Sequence, residues 1–367
     1  MTSPPYWGLR DYDHEDQIGL EPTPEYYVEN LIEVFQEVRR VLKPTGTFFL
    51  NISDTYGGSS GQHGTVSDDF PRNREAYDGK LVARNAGIPD KCMSMVPERV
   101  VMALIEDGWI LRNKIVWTKP NPMPESVKDR FSTTWEYVYM FSKRQRYYFD
   151  LDAVREPYKN STAKRVQQND GNPNWNGDAQ RGHPDGDEDT LDPDQFMHPV
   201  GKNPGDTWEI PTAQLSEAHF AVFPEEPCEK PVKAGCPPKV CARCGRPYER
   251  TVSSPENGDN SEKREYSAEI PGNRSAPPQQ DRQVERTMDG WDQQCDCATD
   301  ETAKGVVLDP FAGAGTTCLV ARRFNRHYVG IELNEEYAEM ARQRIQDEIG
   351  ETPIDEFVKT CSERSER

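Results

Sequence analysis

Long apolar runs are missing from this sequence. Hydrophobic residues make up 34% of its 367 residues, and no stretch approaches the roughly 20 apolar residues that span a bilayer. No signal-like pattern opens it, so the expectation is a cytoplasmic protein, its nine cysteines thiols or metal ligands rather than disulfides. Basic charge is also scarce. Lys and Arg number 44 against 63 Asp and Glu, a formal charge of −19, which by itself argues against the basic footprint of phosphate binding. Internal repeats are absent too. What is present is length enough for a real core, with 30 prolines that mark part of the chain as surface insertion.

Three regions read as compact α/β structure. From Met1 to about Tyr56, an apolar-aromatic turn precedes a helix over Thr23–Leu42, with Tyr27, Leu31, Val34, Val38 and Val41 at helical spacing and Pro24 at its first position. Thr47–Ile52 follows as a buried strand. From Pro97 to Asp150, Val100, Val101, Leu104 and Ile105 line a helix that Gly108 stops. Strands are expected at Trp109–Thr118, Glu136–Phe141 and Tyr147–Phe149. From Val306 to Ile349, strand, glycine loop, helix, strand and helix alternate, the pattern of a parallel α/β sheet. Polar, turn-rich stretches at Gly57–Asp90, Pro157–Asp206 and Gly245–Gly290 read as long loops or insertions.

Two motifs carry chemistry. Asp309-Pro310-Phe311-Ala312-Gly313-Ala314-Gly315-Thr316-Thr317 follows a β-branched strand and opens a helix. Glycines there admit a ligand close to the backbone, and the next strand ends in Glu332, whose carboxylate can bond two ribose hydroxyls. The loop lacks the Lys of a Walker motif. Such a turn also occurs merely to pack a strand on a helix, but Glu332 favours nucleoside binding. The second motif is Ser3-Pro4-Pro5-Tyr6. Its prolines hold the chain extended, a serine oxygen and a proline carbonyl can accept hydrogen bonds from an exocyclic amine, and Tyr6 can stack on a planar group. Alone, Pro-Pro-Tyr is a common linker sequence.

Together these motifs resemble the S-adenosylmethionine-dependent amino-methyltransferases of DNA. That family carries (Asp/Asn/Ser)-Pro-Pro-(Tyr/Phe/Trp) and Phe-x-Gly-x-Gly, matched by Ser3 to Tyr6 and Phe311 to Gly315. The catalytic motif comes first and the cofactor motif last, as in the permuted β group. Trp7–Tyr12, Gln17–Glu21 and His219–Pro224 are also similar to family stretches. The resemblance implies a circularly permuted Rossmann-like α/β fold with polar insertions, S-adenosyl-L-methionine as cofactor and double-stranded DNA as substrate. A cognate restriction endonuclease is a further partner compatible with it. Serine at the first motif position resembles the cytosine-N4 enzymes, with adenine-N6 methylation or an impaired DNA-binding relative as alternatives. Ser3, Pro4, Pro5 and Tyr6 are then the catalytic candidates. Asp309, Phe311, Gly313, Gly315, Thr316, Glu332 and Phe223 are the cofactor candidates.

The implied organisation assigns 1–156 to the catalytic part, 157–218 to an acidic insertion suited to target recognition, and 219–235 to the cofactor pocket. Residues 236–300 form a cysteine-containing insertion, 301–350 the S-adenosylmethionine-binding part and 351–367 a tail. In the insertion, Cys241-x2-Cys244-Gly245 reads as a zinc knuckle that Cys295 and Cys297 complete, with Cys236 as a substitute ligand. Unpaired thiols are the plainer alternative. Cys318 is expected to pack in a helix, while Cys92 and Cys361 have no evident partner. The acidity suggests a salty cytoplasm, where screening lets an acidic protein bind DNA through local arginines such as Arg72, Arg74, Arg84, Arg130 and Arg144. Only Met1 and Thr2 precede the catalytic motif, which normally follows a strand, so the functional chain is expected to begin upstream of Met1.

Overall fold

The computed structural model describes residues 1–12, 14–57, 87–158, 200–212, 224–252 and 288–349. They fall into two compact units. The first comprises Met1–Ala153, Gly205–Pro247 and Cys297–Arg367, and it holds both motifs.

Helix α1 (Pro24–Val41) begins where Thr23 turns extended and its hydroxyl accepts from the Tyr26 N–H. Glu25 in the first turn and Arg39 and Arg40 in the last complement the helix dipole. Its buried face is Tyr27, Leu31, Phe35 and Val38. Val41, expected inside, is exposed, and Phe35 takes a core place that the sequence pattern passed over. Strand β1 (Thr47–Ile52) follows. Helix α2 (Val96–Glu106) buries Val96, Val100, Val101 and Leu104 but leaves Ile105 exposed. Gly108, at φ +93°, ends that turn and feeds strand β2 (Ile110–Thr118). Strand β3 (Trp135–Ser142) returns beside it. Tyr147–Phe149, expected as a strand, is irregular; the Tyr148 N–H is spent on the Thr45 carbonyl, in no ladder.

The sheet runs β1-β3-β2-β4, with β4 at Thr207–Glu209. β3 is antiparallel to both β1 and β2, and β4 is parallel to β2. β1 alternates as a pleated strand must. Phe48, Leu50 and Ile52 join the α1 and α2 side of the core, while Phe49 joins the opposite cluster with Trp117, Met140 and Val232. Helix α3 (Glu226–Gly235) packs into that second cluster through Cys228 and Val232. Farther along come β5 (Val240–Cys241), antiparallel to β8 (Thr302–Ala303), and β9 (Val306–Asp309). Helix α4 (Thr316–Arg323), β10 (His327–Gly330), parallel to β9, and α5 (Glu335–Ile349) complete the expected alternation.

Thr2 links the first motif to the sheet through a parallel bridge to Leu50. Its N–H donates to the Phe49 carbonyl at 3.0 Å and its carbonyl accepts from the Asn51 N–H at 2.9 Å. Its hydroxyl donates to Asp309 Oδ1 at 2.5 Å, joining the two motifs through one side chain.

The second unit comprises Val154–Pro204 and Tyr248–Asp296. Its described parts include the antiparallel hairpin of β6 (Tyr248–Val252) and β7 (Met288–Gln293) and a bridge between Glu156 and Lys202. No helix among the described residues is long and apolar enough to cross a membrane.

Candidate active site

Ser3-Pro4-Pro5-Tyr6 leaves the sheet directly after the Thr2 bridge and turns back at Tyr6, whose carbonyl accepts from the Leu9 N–H at 3.2 Å. Three contacts hold this loop. The Tyr27 hydroxyl donates to the Pro5 carbonyl at 2.7 Å. The Trp7 indole N–H donates to the Glu21 carbonyl at 2.9 Å and is wholly buried. Gly19, at φ +115°, lies so near that a Cβ there would sit 3.2 Å from Pro5 Cβ. The Pro4 carbonyl accepts no hydrogen bond from the described residues.

Behind the loop stands a polar cluster that the motif pattern does not reveal. Tyr6 Oη reaches Asn51 Oδ1 at 3.0 Å and Glu136 Oε2 at 3.2 Å. Ser3 Oγ reaches Asn51 Oδ1 at 3.3 Å and Tyr6 Oη at 3.4 Å. Asn51 Nδ2 donates to Glu136 Oε2 at 3.3 Å and to the Tyr137 carbonyl at 3.0 Å. Lys119 closes the cluster through an ion pair with Glu136 Oε1, and its ammonium lies over the Trp117 ring at 4.9 Å. Burial pushes the Tyr6 hydroxyl well above its ordinary pKa, and the Glu136 charge adds to the rise. Tyr6 is therefore a neutral hydroxyl at physiological pH. Asn51, on β1, had a signal of its own: an amide in an otherwise apolar strand. Glu136 and Lys119 had none.

The second motif forms a tight turn after β9. Asp309 is 1% exposed and its Oδ1 also accepts from the Phe311 N–H at 3.1 Å. Burial pushes this carboxyl up, against hydrogen bonds from Thr2, Thr317 and Phe311 that favour its charged form. Gly313 has φ +51°, and a Cβ there would meet nothing within 4 Å, so one side of the turn is open. Its N–H donates to Glu332 Oε2 at 2.7 Å. Gly315, at φ +76°, is needed for packing instead, since a Cβ would come within 2.7 Å of Ala341 Cβ on α5. Thr316 is buried and accepts from Arg344 at 3.3 Å, and the Phe311 ring lies edge-on to Phe35 at 6.3 Å. Tyr12 and Tyr337, centroids 6.1 Å apart, flank Glu332 closely enough that its charge helps raise both phenol pKa values after burial. Tyr12 ends one of the stretches similar to the family, and Tyr337 was not singled out by the sequence pattern. Phe223 lies outside the described residues.

Within the first unit, the thiols of Cys241, Cys244 and Cys297 lie within 4.8 Å of one another, while Cys295 belongs to the second unit. Cys236 is not among them. It is buried instead, and that burial pushes its thiol up to about 11. Cys318 packs in the core as expected, and Cys361 lies outside the described residues. Of the arginines considered for DNA, Arg130 pairs with Glu125 at 2.7 Å, Arg144 is exposed, and Arg72, Arg74 and Arg84 lie outside the described residues.

The chain is similar to known DNA methyltransferases over most of its length. A family model described as DNA methylase, for N6 and N4 methyltransferases, matches residues 1–240 and 296–343. The Type II methyltransferase M.XycI of Xanthomonas campestris pv. cyanopsidis is 32% identical over 94% of this chain and 80% of its own length. The Type II methyltransferase M.SmaI of Serratia marcescens is 32% identical over 94% of this chain and 82% of its own. Among solved structures, the cytosine-N4-specific PvuII DNA methyltransferase aligns over 95% of this chain and 82% of its own, at 15% identity and a TM-score of 0.46. With both motifs in place and this extent of similarity, the chain belongs to the DNA methylase family of N6/N4 amino-methyltransferases, enzymes that methylate DNA with S-adenosylmethionine.

Proposed function

We propose that this enzyme methylates N4 of a cytosine flipped out of double-stranded DNA. The observation that carries the reading is the convergence of Ser3 Oγ, Tyr6 and Asn51 at the sheet edge, with serine rather than aspartate opening the motif. Flipping costs a few kcal/mol and brings the amine to the loop. There Ser3 Oγ and the Pro4 carbonyl would accept its two N–H groups and turn its lone pair outward. An amine conjugated with the ring is a poor nucleophile. Acceptors aimed at its hydrogens stabilise the positive charge that develops on nitrogen, and fixed alignment lowers the entropic part of the barrier. Tyr6 would stack on the base.

The turn over Gly313 fits S-adenosylmethionine: it is open where a side chain would intrude, and Glu332 stands beside it to take ribose hydroxyls. Tyr12 and Tyr337 would line the same place. When bound, the cofactor supplies an electrophilic sulfonium methyl group. Asp309 would act from beneath, holding the turn and the Thr2 anchor. Digesting treated DNA to nucleosides tests the reading by mass spectrometry. N4-methylcytosine is expected; N6-methyladenine in its place would favour the adenine reading, and no transfer would favour a relative that only binds DNA.

The clustered thiols of Cys241, Cys244 and Cys297, with Cys295 as the fourth ligand that the sequence pattern supplies, read as a structural zinc site. Tetrahedral zinc with Zn–S bonds of about 2.3 Å spaces its sulfurs by roughly 3.8 Å, within the observed limit of 4.8 Å. Gly245 at φ +70° and its N–H bond to the Cys241 carbonyl at 2.8 Å give the turn of a knuckle. Purified protein should carry one zinc per chain by atomic emission, and Cys244→Ser should lose it. A metal-free wild type with unchanged thermal stability would sink this assignment.

A further inference from the structure

Glu136 lies outside both motifs, yet its carboxylate is bonded to two of the three side chains that converge at the loop, Tyr6 and Asn51. Its ion pair with Lys119 is largely enclosed, the side chains being 15% and 19% exposed. The burial of that charge is compensated by Lys119 and by two further donors, Tyr6 Oη and Asn51 Nδ2.

The consequence lies in which way the hydrogens point. A carboxylate only accepts. Asn51 Nδ2 therefore faces Glu136 and the Tyr137 carbonyl, two groups that accept only, and its Oδ1 is turned toward Ser3 and Tyr6. Tyr6 has one proton, and its two nearest neighbours, Asn51 Oδ1 and Glu136 Oε2, are both acceptors, with Ser3 Oγ farther off at 3.4 Å. Ser3 likewise has one proton, which goes inward to Asn51 Oδ1 or Tyr6 Oη. Its lone pairs remain for the substrate.

We propose that Glu136, held by Lys119, is a positioning residue that sets this hydrogen-bond polarity, so that Ser3 Oγ meets the target amine as an acceptor. The inference rests on the amine-methylation reading above. Polarity matters because the amine nitrogen must keep its lone pair for the methyl group. The N–C bond forms from that lone pair, the C–S bond breaks with its electrons remaining on sulfur, and the nitrogen then releases one proton to water. A serine that donated its hydrogen to nitrogen would occupy the lone pair and stop the reaction. With a neutral amide at 136, Nε2 can donate to Tyr6 Oη, the Tyr6 proton then takes Asn51 Oδ1, and the serine hydrogen turns outward even though the Tyr137 carbonyl still holds Asn51 Nδ2.

The test is methyl transfer from labelled S-adenosylmethionine into unmethylated mixed-sequence genomic DNA. Glu136→Gln should lower kcat about tenfold to a hundredfold while KM for S-adenosylmethionine stays within twofold. The double variant Asn51→Asp/Glu136→Gln gives Ser3 and Tyr6 an acceptor-only partner again, with its second oxygen set against the Tyr137 carbonyl, and it should recover part of the lost kcat. Asn51→Asp alone, which sets two carboxylates against each other, should be worse than the double variant, with kcat expressed per folded protein as measured by circular dichroism. The proposal is overturned if Glu136→Gln keeps wild-type kcat, if the double variant is no better than the single one, or if Asn51→Asp alone matches the double. Failure of the wild type to methylate would instead overturn the amine-methylation reading.

Discussion

At Asp309 a single buried carboxyl joins the two motifs. Two of its contacts, Thr2 Oγ1 and the Phe311 N–H, tie the motifs together, while burial raises its pKa. A carboxyl whose folded pKa lies above its unfolded value of about 4 stabilises the fold below that value, and the contribution is lost as pH rises through the folded pKa. An asparagine side chain in its place would accept the same two hydrogen bonds without a charge to bury. Asp309→Asn should therefore match the wild type in thermal stability near pH 4 and exceed it at neutral pH. Melting curves across that range check this; a variant that falls further behind as pH rises would show that the charged form is the favoured one. Tyr6 gives a contrasting case. The motif offered it as a stacking aromatic, but its hydroxyl partners were not legible, because Asn51 and Glu136 come from two strands far off in sequence.

At the scale of elements, helix α2 shows how a long-range contact substitutes for a local cap. Met95, its N-cap residue, sits in the left-handed region at φ 57° and offers no side-chain hydrogen bond. Asp54, just beyond β1, supplies it: Oδ2 accepts from the Met95 N–H at 2.9 Å and Oδ1 from the Val96 N–H at 3.1 Å. Two donors of the first turn are thus satisfied from another element. Asp54→Ala should cost about 1–2 kcal/mol, measured as a lower urea midpoint with unchanged slope; no change would mean that water caps the helix equally well. The sequence pattern located α1 and α2 because apolar residues recur at helical spacing, and it placed β1, β2 and β3 because their runs are apolar or aromatic. It misjudged Val41 and Ile105 at helix ends, where the helix has turned its face away from the sheet. It also made a strand of Tyr147–Phe149, whose aromatic rings suit a ladder that has no partner there.

For the whole molecule, the charge of −19 bears on the conditions of work. Like charges repel across an acidic surface at low ionic strength, and salt shortens that reach to about 3 Å at 1 M. Stability should rise between about 0.1 M and 2 M KCl, and DNA methylation should persist in that range. A stability maximum at low salt would remove adaptation to salty cytoplasm from the reading.

The sequence by itself determined the chemistry's address: a Ser-Pro-Pro-Tyr loop, a glycine turn closed by Glu332, their order, and the alternation that makes the fold α/β. Those are local properties, carried by φ restrictions, glycine and hydrophobic periodicity, which neighbouring residues express without help. Only the tertiary structure decided which groups surround the loop. The pairing of β1 with β3 sets Asn51 opposite Val138 and brings Glu136 and Tyr137 alongside. The pairing of β2 with β3 sets Trp117 opposite Glu136, with Lys119 just beyond. Strand register, a product of packing over the whole sheet, thus aims an acceptor-only carboxylate at Tyr6 and Asn51.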